Sequence, residues 1–192
     1  MKTIRTFIAA QLDDNVRQQL SVIQDQLKTA RADVKWTVPE HIHLTLKFLG
    51  DTLMKKVKPI ADGLPEMLRE ISVFPMTVTH WGGFPDLDAP RVIWAGLDAD
   101  ASQKATILAE KIETGLHQFG LPKEKRPFSA HLTLGRVRSK RGCNELIRQF
   151  SSLTINPPIH QTIRTISFFQ STLTPSGSHY EILATCHLSE GE

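Results

Sequence analysis

The chain has 192 residues, of which 40% are hydrophobic and 22% charged, and its formal net charge is +3. This composition excludes disordered and fibrous proteins, and the length allows one domain or two small lobes that share a core. The sequence has no run of about 18 apolar residues that could span a membrane, and its apolar N-terminal stretch is too short for a signal peptide. Two cysteines are too few for a disulfide framework, so we expect a cytoplasmic protein that does not bind membranes.

The first half of the chain alternates strand and helix signals. Short apolar or alternating runs predict the strands, and apolar residues at helical spacing after potential caps predict the helices. In chain order these predicted elements are a strand at residues 6–12, a helix from residue 13 or 14 to about 27, a strand at 43–50, a helix over about 52–70 and a strand near 74–81.

The second half repeats this order of elements. Its predicted elements are a strand at 91–97, a helix that begins at 98–103 and ends near Gly120, a strand at 131–137, a short helix at about 144–150 and final strands at 159–170 and 179–188. The tetrapeptide His-Leu-Thr-Leu (HLTL) occurs in the equivalent strand of each half, at residues 43–46 and 131–134. The repetition predicts an internal duplication that forms two lobes, related by a pseudo-twofold axis, with a cleft between them.

Each HLTL tetrapeptide places a histidine and a threonine on the same face of its strand. Side chains two residues apart point to the same side of a strand, so His43 shares a face with Thr45, and His131 shares one with Thr133. The leucines of the motifs point the other way, into the core of each lobe. A pseudo-twofold axis would bring both polar pairs to one cleft, where two imidazoles and two hydroxyls converge.

This set of side chains suits in-line displacement at phosphorus. A neutral imidazole can take a proton from the attacking water while a protonated one gives a proton to the leaving oxygen, because the pKa of histidine lies near neutrality. The hydroxyls can hydrogen-bond the non-bridging phosphate oxygens and hold the phosphorus in line. Since the protein supplies both acid and base, we predict a reaction that needs no metal ion and no cofactor.

Four segments of the sequence resemble the 2H phosphoesterases, a superfamily named after its two histidine-containing motifs. They are RTFIAAQL at residues 5–12, WTVPEHIHLTLKFLG at 36–50, FSAHLTLGRV at 128–137 and STLTPSGSHY at 171–180. Within the superfamily, the chain is similar to the bacterial and archaeal RNA 2′,3′-cyclic phosphodiesterases, which are also known as 2′-5′ RNA ligases.

The resemblance implies an α+β fold in which residues 1–192 form a single domain of two intertwined lobes, with antiparallel sheets flanked by helices and a central active-site cleft. It also implies hydrolysis of RNA 2′,3′-cyclic phosphate ends to 2′-phosphomonoesters, with ATP-independent 2′-5′ ligation as the reverse transesterification. In such a protein His43 would be the general acid and His131 the general base, while Thr45 and Thr133 would bind phosphate. The sequence alone does not order the two histidine roles.

Other residues near the motifs are candidates for substrate contacts. Arg136 can bind phosphate if a bulge turns it towards the threonine face, since strict alternation places it on the opposite side. Phe48 and Phe7 are candidates for stacking on a base. For Phe48, however, alternation places the side chain towards the core, so core packing is the preferred interpretation. Lys47 shares the histidine face and could neutralise phosphate.

The charge distribution points to a polyanionic partner. Residues 123–148 contain eight lysines and arginines against two glutamates, which suits RNA or a phosphorylated small molecule. We therefore expect the partner to be an RNA with a 2′,3′-cyclic phosphate end, and the protein to be a monomer without an obligate protein partner. Two alternatives stay open: a phosphodiesterase for a small cyclic nucleotide such as ADP-ribose 1″,2″-cyclic phosphate, and a non-catalytic protein that binds RNA ends.

Overall fold

A computed structural model of the protein describes residues 2–175 and 177–191. Over these residues the chain forms nine strands and four helices, in the order β1 (Thr3–Ala10), α1 (Asp14–Lys28), β2 (Val34–Trp36), β3 (Leu44–Leu53), α2 (Met54–Leu68), β4 (Phe74–Phe84), β5 (Val92–Leu97), α3 (Ala99–His117), β6 (His131–Val137), α4 (Cys143–Ser152), β7 (Ile159–Ile163), β8 (Thr165–Thr174) and β9 (Gly177–His187). A turn of 3-10 helix, Pro39–His41, precedes β3. Within the described residues, no helix has the length and hydrophobicity needed to cross a membrane.

The strands form one antiparallel sheet with the order β7-β4-β5-β6-β3-β1-β8-β9, and β2 also pairs with β6. The two HLTL strands, β3 and β6, lie at its centre and are joined by one register pair, Leu44 opposite Leu132. Outward from this seam, each half continues with its leading strand (β1 or β5), a long strand (β8 or β4) and an edge strand (β9 or β7). The arrangement confirms the predicted α+β fold with two equivalent lobes and places both motifs at the lobe boundary.

The motif leucines and the helices share one core. Leu44, Leu46, Leu132 and Leu134 are at most 4% exposed and belong to one cluster with buried apolar residues from all four helices. Burial of a leucine side chain contributes about 1.5–3 kcal/mol, so the helix-covered face holds these strands in place. Asp98 caps α3 by accepting a hydrogen bond from a backbone N–H of its first turn at 2.9 Å. Because the leucines occupy the core side, the histidine-threonine face of both strands is left to the cleft.

One predicted strand, residues 159–170, is two strands in the structure. β7 pairs with β4, whereas β8 pairs with β1 in the other lobe, and Arg164 separates them. No glycine or proline marks this break, so the sequence contains no local signal for it, and the two pairings decide where each strand ends. The other predicted helices and strands are present and overlap their predicted ranges, including α2, which contains Pro59 and Pro65.

Candidate active site

Both HLTL strands contain a bulge that changes the direction of the side chains after the motif. The register of β3 against β1 shifts at Leu46, and the register of β6 against β5 shifts at Leu134, so each motif ends in an extra residue. A bulge breaks the alternation of a strand. Phe48 and Arg136 therefore lie on the face of the motif threonines, and both line the same cavity as these threonines.

A cavity of about 430 Å³, the His43 cavity, opens over the cleft face of β3 and β6. Its wall contains His43, the two motif threonines, Arg5 and Arg136. None of the described residues that line it carries a carboxylate, so nothing in its wall neutralises the two arginines. Further lining residues are Thr6, Phe7, Thr37, His41, Phe48, Ser171, Leu173, Ser178 and Tyr180. The cavity therefore suits a small anion such as a phosphodiester.

A second cavity, the His131 cavity, has a volume of about 840 Å³. It is lined by His131, by part of α3, by the loop before β6 and by the corner between β4 and β5. Thr45 and Phe48 line both cavities, so the two spaces meet at β3. A phosphate bound at this junction would have one imidazole in each adjoining cavity.

Equivalent backbone contacts orient the two histidine rings. Nδ1 of His131 lies 2.8 Å from the carbonyl oxygen of Ser129, and the ring of His43 is hydrogen-bonded to the backbone carbonyl of His41. In each case the acceptor lies two residues before the histidine. Because a carbonyl oxygen only accepts, Nδ1 of His131 carries the proton, which leaves Nε2 to exchange protons in the cleft.

Burial keeps His43 neutral in the free protein. Its ring stacks on Phe7 with the centroids 4.9 Å apart and meets Tyr180 edge-on at 5.6 Å. Burial is the largest influence on the pKa of His43 and lowers it to about 4, while the hydrogen bond to the His41 carbonyl opposes this shift. Positive charges on His41 and His131 lower the pKa of His43 further.

The environment of His131 also favours the neutral imidazole. Phe84 contacts its ring edge-on, with the centroids 5.0 Å apart. Burial lowers the pKa of His131 from its ordinary value of 6.5; the Ser129 carbonyl raises it, and the positive charge of Arg136 lowers it. His131 is therefore ready to accept a proton at Nε2 near neutral pH.

Replacing Arg136 with glutamine should raise the pKa of His131. The guanidinium disfavours the positively charged imidazolium, so its removal stabilises the protonated form. The shift can be measured by NMR from the pH dependence of the His131 side-chain resonances. Arg138→Gln removes the same charge two residues further along and is the control. An equal upward shift in both variants would contradict the role given to Arg136.

The bulge in β3 also changes the face on which Phe48 and Lys47 lie, compared with strict alternation. Phe48, expected to pack in the core, is 61% exposed and borders both cavities, so that interpretation was wrong and its surface is open to a base. Lys47, expected beside His43, instead donates a hydrogen bond to Oε1 of Glu113 on α3 at 2.5 Å. Phe7 is only 3% exposed, so the prediction that it stacks on a base is wrong. Its ring supports that of His43 instead.

Arg5 and Tyr180 line the His43 cavity but were not predicted as site residues. Arg5 lies two residues before Phe7 on β1, so alternation along that strand could have placed it on the same face. Tyr180, on β9, lies 4.4 Å from His41 between ring centroids. It reaches the site only because β9 pairs with β8 and β8 with β1, and no local pattern in the sequence indicates those pairings.

The chain matches the model of the LigT-like phosphoesterase family twice, over residues 11–94 and again over 96–180. Each match contains one HLTL motif. The chain is 32% identical to the RNA 2′,3′-cyclic phosphodiesterase of Methanothermobacter thermautotrophicus, over 92% of this chain and 95% of that protein. It is 31% identical to the RNA 2′,3′-cyclic phosphodiesterase of Thermotoga maritima, over 98% of this chain and 97% of that protein.

Solved structures have the same fold. The protein TT0787 of Thermus thermophilus aligns with a TM-score of 0.78 at 25% identity, over 98% of this chain and 100% of that one. The E. coli LigT structure in complex with 3′-AMP aligns with a TM-score of 0.76 at 23% identity, again over 98% and 100% of the two chains. The repeated motif, the sequence matches and the fold agree, and the chain belongs to the LigT-like phosphoesterase family.

Proposed function

We propose that this protein hydrolyses the 2′,3′-cyclic phosphate at an RNA end to a 2′-phosphomonoester, by acid-base catalysis without a metal ion. The observation that carries the proposal is the pair of imidazoles, one from each repeated strand, at the junction of two cavities. The relatives named RNA 2′,3′-cyclic phosphodiesterases support the choice of substrate.

Thr45, Thr133 and Arg136 bind the phosphate in this proposal. All three line the His43 cavity, whose described wall contains no carboxylate to repel an anion. The hydroxyls donate to the non-bridging oxygens, and the guanidinium can contact two oxygens at once. Each hydrogen bond to a charged group contributes about 1.5–3 kcal/mol, which is enough to hold the phosphorus in line with the attacking water.

The two histidines move the protons of the reaction. Nε2 of His131 takes a proton from the water as its oxygen bonds to phosphorus. The bond between phosphorus and O3′ breaks, and His43 gives its proton to O3′, so the phosphate stays on O2′. The products are a 2′-phosphomonoester and a free 3′-hydroxyl; His131 then releases its proton to solvent, and His43 takes one up from solvent. Attack by the 5′-hydroxyl of another RNA in place of water would join the two RNA ends through a 2′–5′ bond without ATP. This is the reverse of the transesterification that cleaves such a bond.

The low pKa of His43 is compatible with a role as general acid. Its value of about 4 belongs to the protein without substrate, where the imidazole is buried beside other rings. A phosphodiester anion in the same cavity stabilises the imidazolium and raises its pKa. The proton is then held by a group that remains a strong donor for the leaving oxygen.

Aromatic side chains near the His43 cavity hold the terminal nucleoside. Phe48 is 61% exposed, and Tyr180 lines the same cavity beside the leaving-group side. A base stacked on one such ring contributes about 1–3 kcal/mol and requires no particular base identity. The partner is therefore an RNA end, recognised through its phosphate and one stacked base.

The proposal is tested with a short RNA that ends in a 2′,3′-cyclic phosphate, in buffer that contains a metal chelator. We expect conversion to the 2′-phosphate, identified by ³¹P NMR, and a KM that rises with salt because polyanion binding weakens with ionic strength. A 3′-phosphate product would contradict the proposed bond cleavage. Turnover of ADP-ribose cyclic phosphate alone would favour the small-nucleotide alternative, and RNA binding without turnover would identify a non-catalytic protein.

A further inference from the structure

The basic segment at residues 123–148 divides into two parts in the structure. Its first part, with Lys125 and Arg126, lines the His131 cavity, whose described wall also contains three glutamates. These carboxylates offset the positive charge in that cavity. The second part follows the motif strand β6 and meets a basic stretch that is remote in the sequence, at residues 31–35. The two stretches together form a separate basic surface.

Strand β2 places Lys35 beside Arg136, which lines the His43 cavity. The two residues are register partners in the antiparallel pair of β2 and β6, and both are exposed. A Cβ on Gly135 would lie 2.6 Å from Cγ1 of Val34, so Val34 is on the core side of β2 and Lys35 is on the cleft side. Like charges directly opposite each other destabilise a sheet. A phosphate between the two side chains would remove this repulsion at the mouth of the cavity.

Two loops continue the basic surface beyond the ends of β2 and β6. The backbone of Asp33 accepts a hydrogen bond from the N–H of Arg138 at 2.8 Å and donates one to the carbonyl oxygen of Arg141 at 3.1 Å. Gly142 lies so close to the other loop that a Cβ there would come within 2.6 Å of Cα of Ala32. The two loops are therefore held together. We call the combined surface the basic track; its cations, all exposed, are Arg31, Lys35, Arg136, Arg138, Lys140 and Arg141.

The protein does not neutralise the charge of the basic track. Elsewhere, exposed cations pair with carboxylates, as Lys104 does with Asp100. Among the described residues, no cation of the track forms an ion pair. The only carboxylate in residues 31–35 and 136–142 is that of Asp33, which accepts a hydrogen bond from a serine hydroxyl at 2.8 Å. The track therefore presents its positive charges to solvent and suits a polyanion.

The composition of the track indicates which part of an RNA it contacts. None of residues 31–35 and 136–142 is aromatic. Stacking on aromatic rings is how proteins hold the bases of single-stranded RNA, whereas lysines and arginines contact the phosphates. The exposed ring of Phe48 lines the His43 cavity instead. The cavity is thus suited to the terminal nucleotide, and the track to the phosphates of the nucleotides before it.

We propose that the basic track binds the sugar-phosphate backbone of the nucleotides that precede the cyclic phosphate, without regard to their bases. The inference rests on the proposed function and extends it from the reacting end to the body of the RNA. The substrate is then an oligonucleotide or a longer RNA rather than a mononucleotide. Each phosphate held in this way releases counterions, so the track also determines how strongly RNA binding depends on salt.

The test measures how binding depends on RNA length and on salt. The ligands are hexauridylate with a 2′-phosphate end and uridine 2′-phosphate, both of which are products of the proposed reaction, so turnover does not interfere. The wild type should bind the hexanucleotide about tenfold more tightly at low salt. Arg138→Gln combined with Arg141→Gln should remove this advantage. It should also lower the slope of log Kd against log salt by about 1.4, or about 0.7 for each phosphate contact.

A second variant and a matched control separate the track from a general effect of charge. Lys35→Gln, in the other stretch of the track, should lower the salt slope by about 0.7. Lys55→Gln combined with Lys58→Gln removes two positive charges from α2, where both lysines are exposed and line neither cavity. This control should keep the wild-type affinity and salt slope. Urea unfolding checks that all variants are folded.

Three results would overturn the basic track. The first is equal affinity of the wild type for hexauridylate and uridine 2′-phosphate. The second is binding of hexauridylate by the track variants that is no weaker than binding by the α2 control. The third is a loss of affinity for hexauridylate but not for hexaadenylate, because the surface would then recognise bases. A wild type that shows the expected binding but opens no cyclic phosphate would refute the proposed function and still support the track.

Discussion

Glutamine in place of His43 or His131 is expected to lower the rate of cyclic phosphate opening by about 10²–10⁴-fold in each case, the usual contribution of a positioned acid or base. Glutamine keeps hydrogen-bonding groups in the cleft but cannot exchange a proton near neutral pH. The rates are measured in single-turnover experiments at saturating RNA. The double variant should lose little more than either single one, because both groups act in the same transition state.

The nature of the leaving group separates the two roles. An analogue in which sulfur replaces O3′ of the cyclic phosphate needs no proton on its leaving atom, since a thiolate is far more stable than an alkoxide. His43→Gln should therefore lose much less activity on the sulfur analogue than on the normal substrate. His131→Gln should lose the same large factor on both. The reverse pattern would exchange the acid and base roles.

His160→Gln is the control for the loss of a histidine outside the cleft. His160 is exposed on β7 and lines neither cavity. This variant should retain the wild-type rate, and urea unfolding should show that all three variants are folded. If either cleft variant kept more than about a tenth of the wild-type rate, acid-base catalysis by that histidine would be excluded.

The centre of the site could be predicted because it depends on a local property. In each HLTL motif, the alternation of a strand is enough to put the histidine and the threonine on one side and the leucines on the other. Burial of Leu44 and Leu132, opposite each other at the seam, shows that this part of the prediction was right. The repetition of the motif then indicated that the two halves would meet there.

The face on which the side chains after each motif lie depends on how the strands pair, and the local sequence does not indicate this register. The bulges at Leu46 and Leu134 arise from pairing with β1 and β5, and they turn Phe48 and Arg136 to the cleft. A local signal for a bulge exists only before Arg136, where Gly135 follows the second motif. Tyr180 could not be predicted for a similar reason, since two further strand pairings bring it to His43.

His43 is also expected to destabilise the protein as the pH falls from about 6.5 to 4. Its ordinary pKa of 6.5 applies in the unfolded chain, whereas burial lowers the pKa to about 4 in the folded one. Between these values the unfolded state binds a proton that the folded state does not bind. The free energy of unfolding therefore falls by up to about 1.4 kcal/mol for each pH unit, and by about 3 kcal/mol over the whole range.

Among the groups with lowered pKa values, the histidines dominate the pH dependence of the unfolding free energy between pH 6.5 and 4.5. The pKa values of His131 and His41 are also lowered, so they too reduce stability as the pH falls below 6.5. Glu113 and Glu70 have lowered pKa values as well, but their stabilising contributions are lost only as the pH falls below their ordinary value of 4.5. Unfolding between pH 6.5 and 4.5 therefore reports on the histidines among these groups.

His43→Gln should reduce the slope of unfolding free energy against pH between pH 6.5 and 4.5. The reduction should reach up to about 1.4 kcal/mol per pH unit, which corresponds to one proton. Urea unfolding at several pH values measures this slope, with His160→Gln as the control for removal of an exposed imidazole. An unchanged slope in His43→Gln would mean that the pKa of His43 is not lowered by folding. The burial that costs stability in acid is the same burial that makes the protonated ring a strong donor. A residue that served stability alone would be apolar at this position, and in the proposed function the buried imidazole is there because it donates a proton to the leaving oxygen.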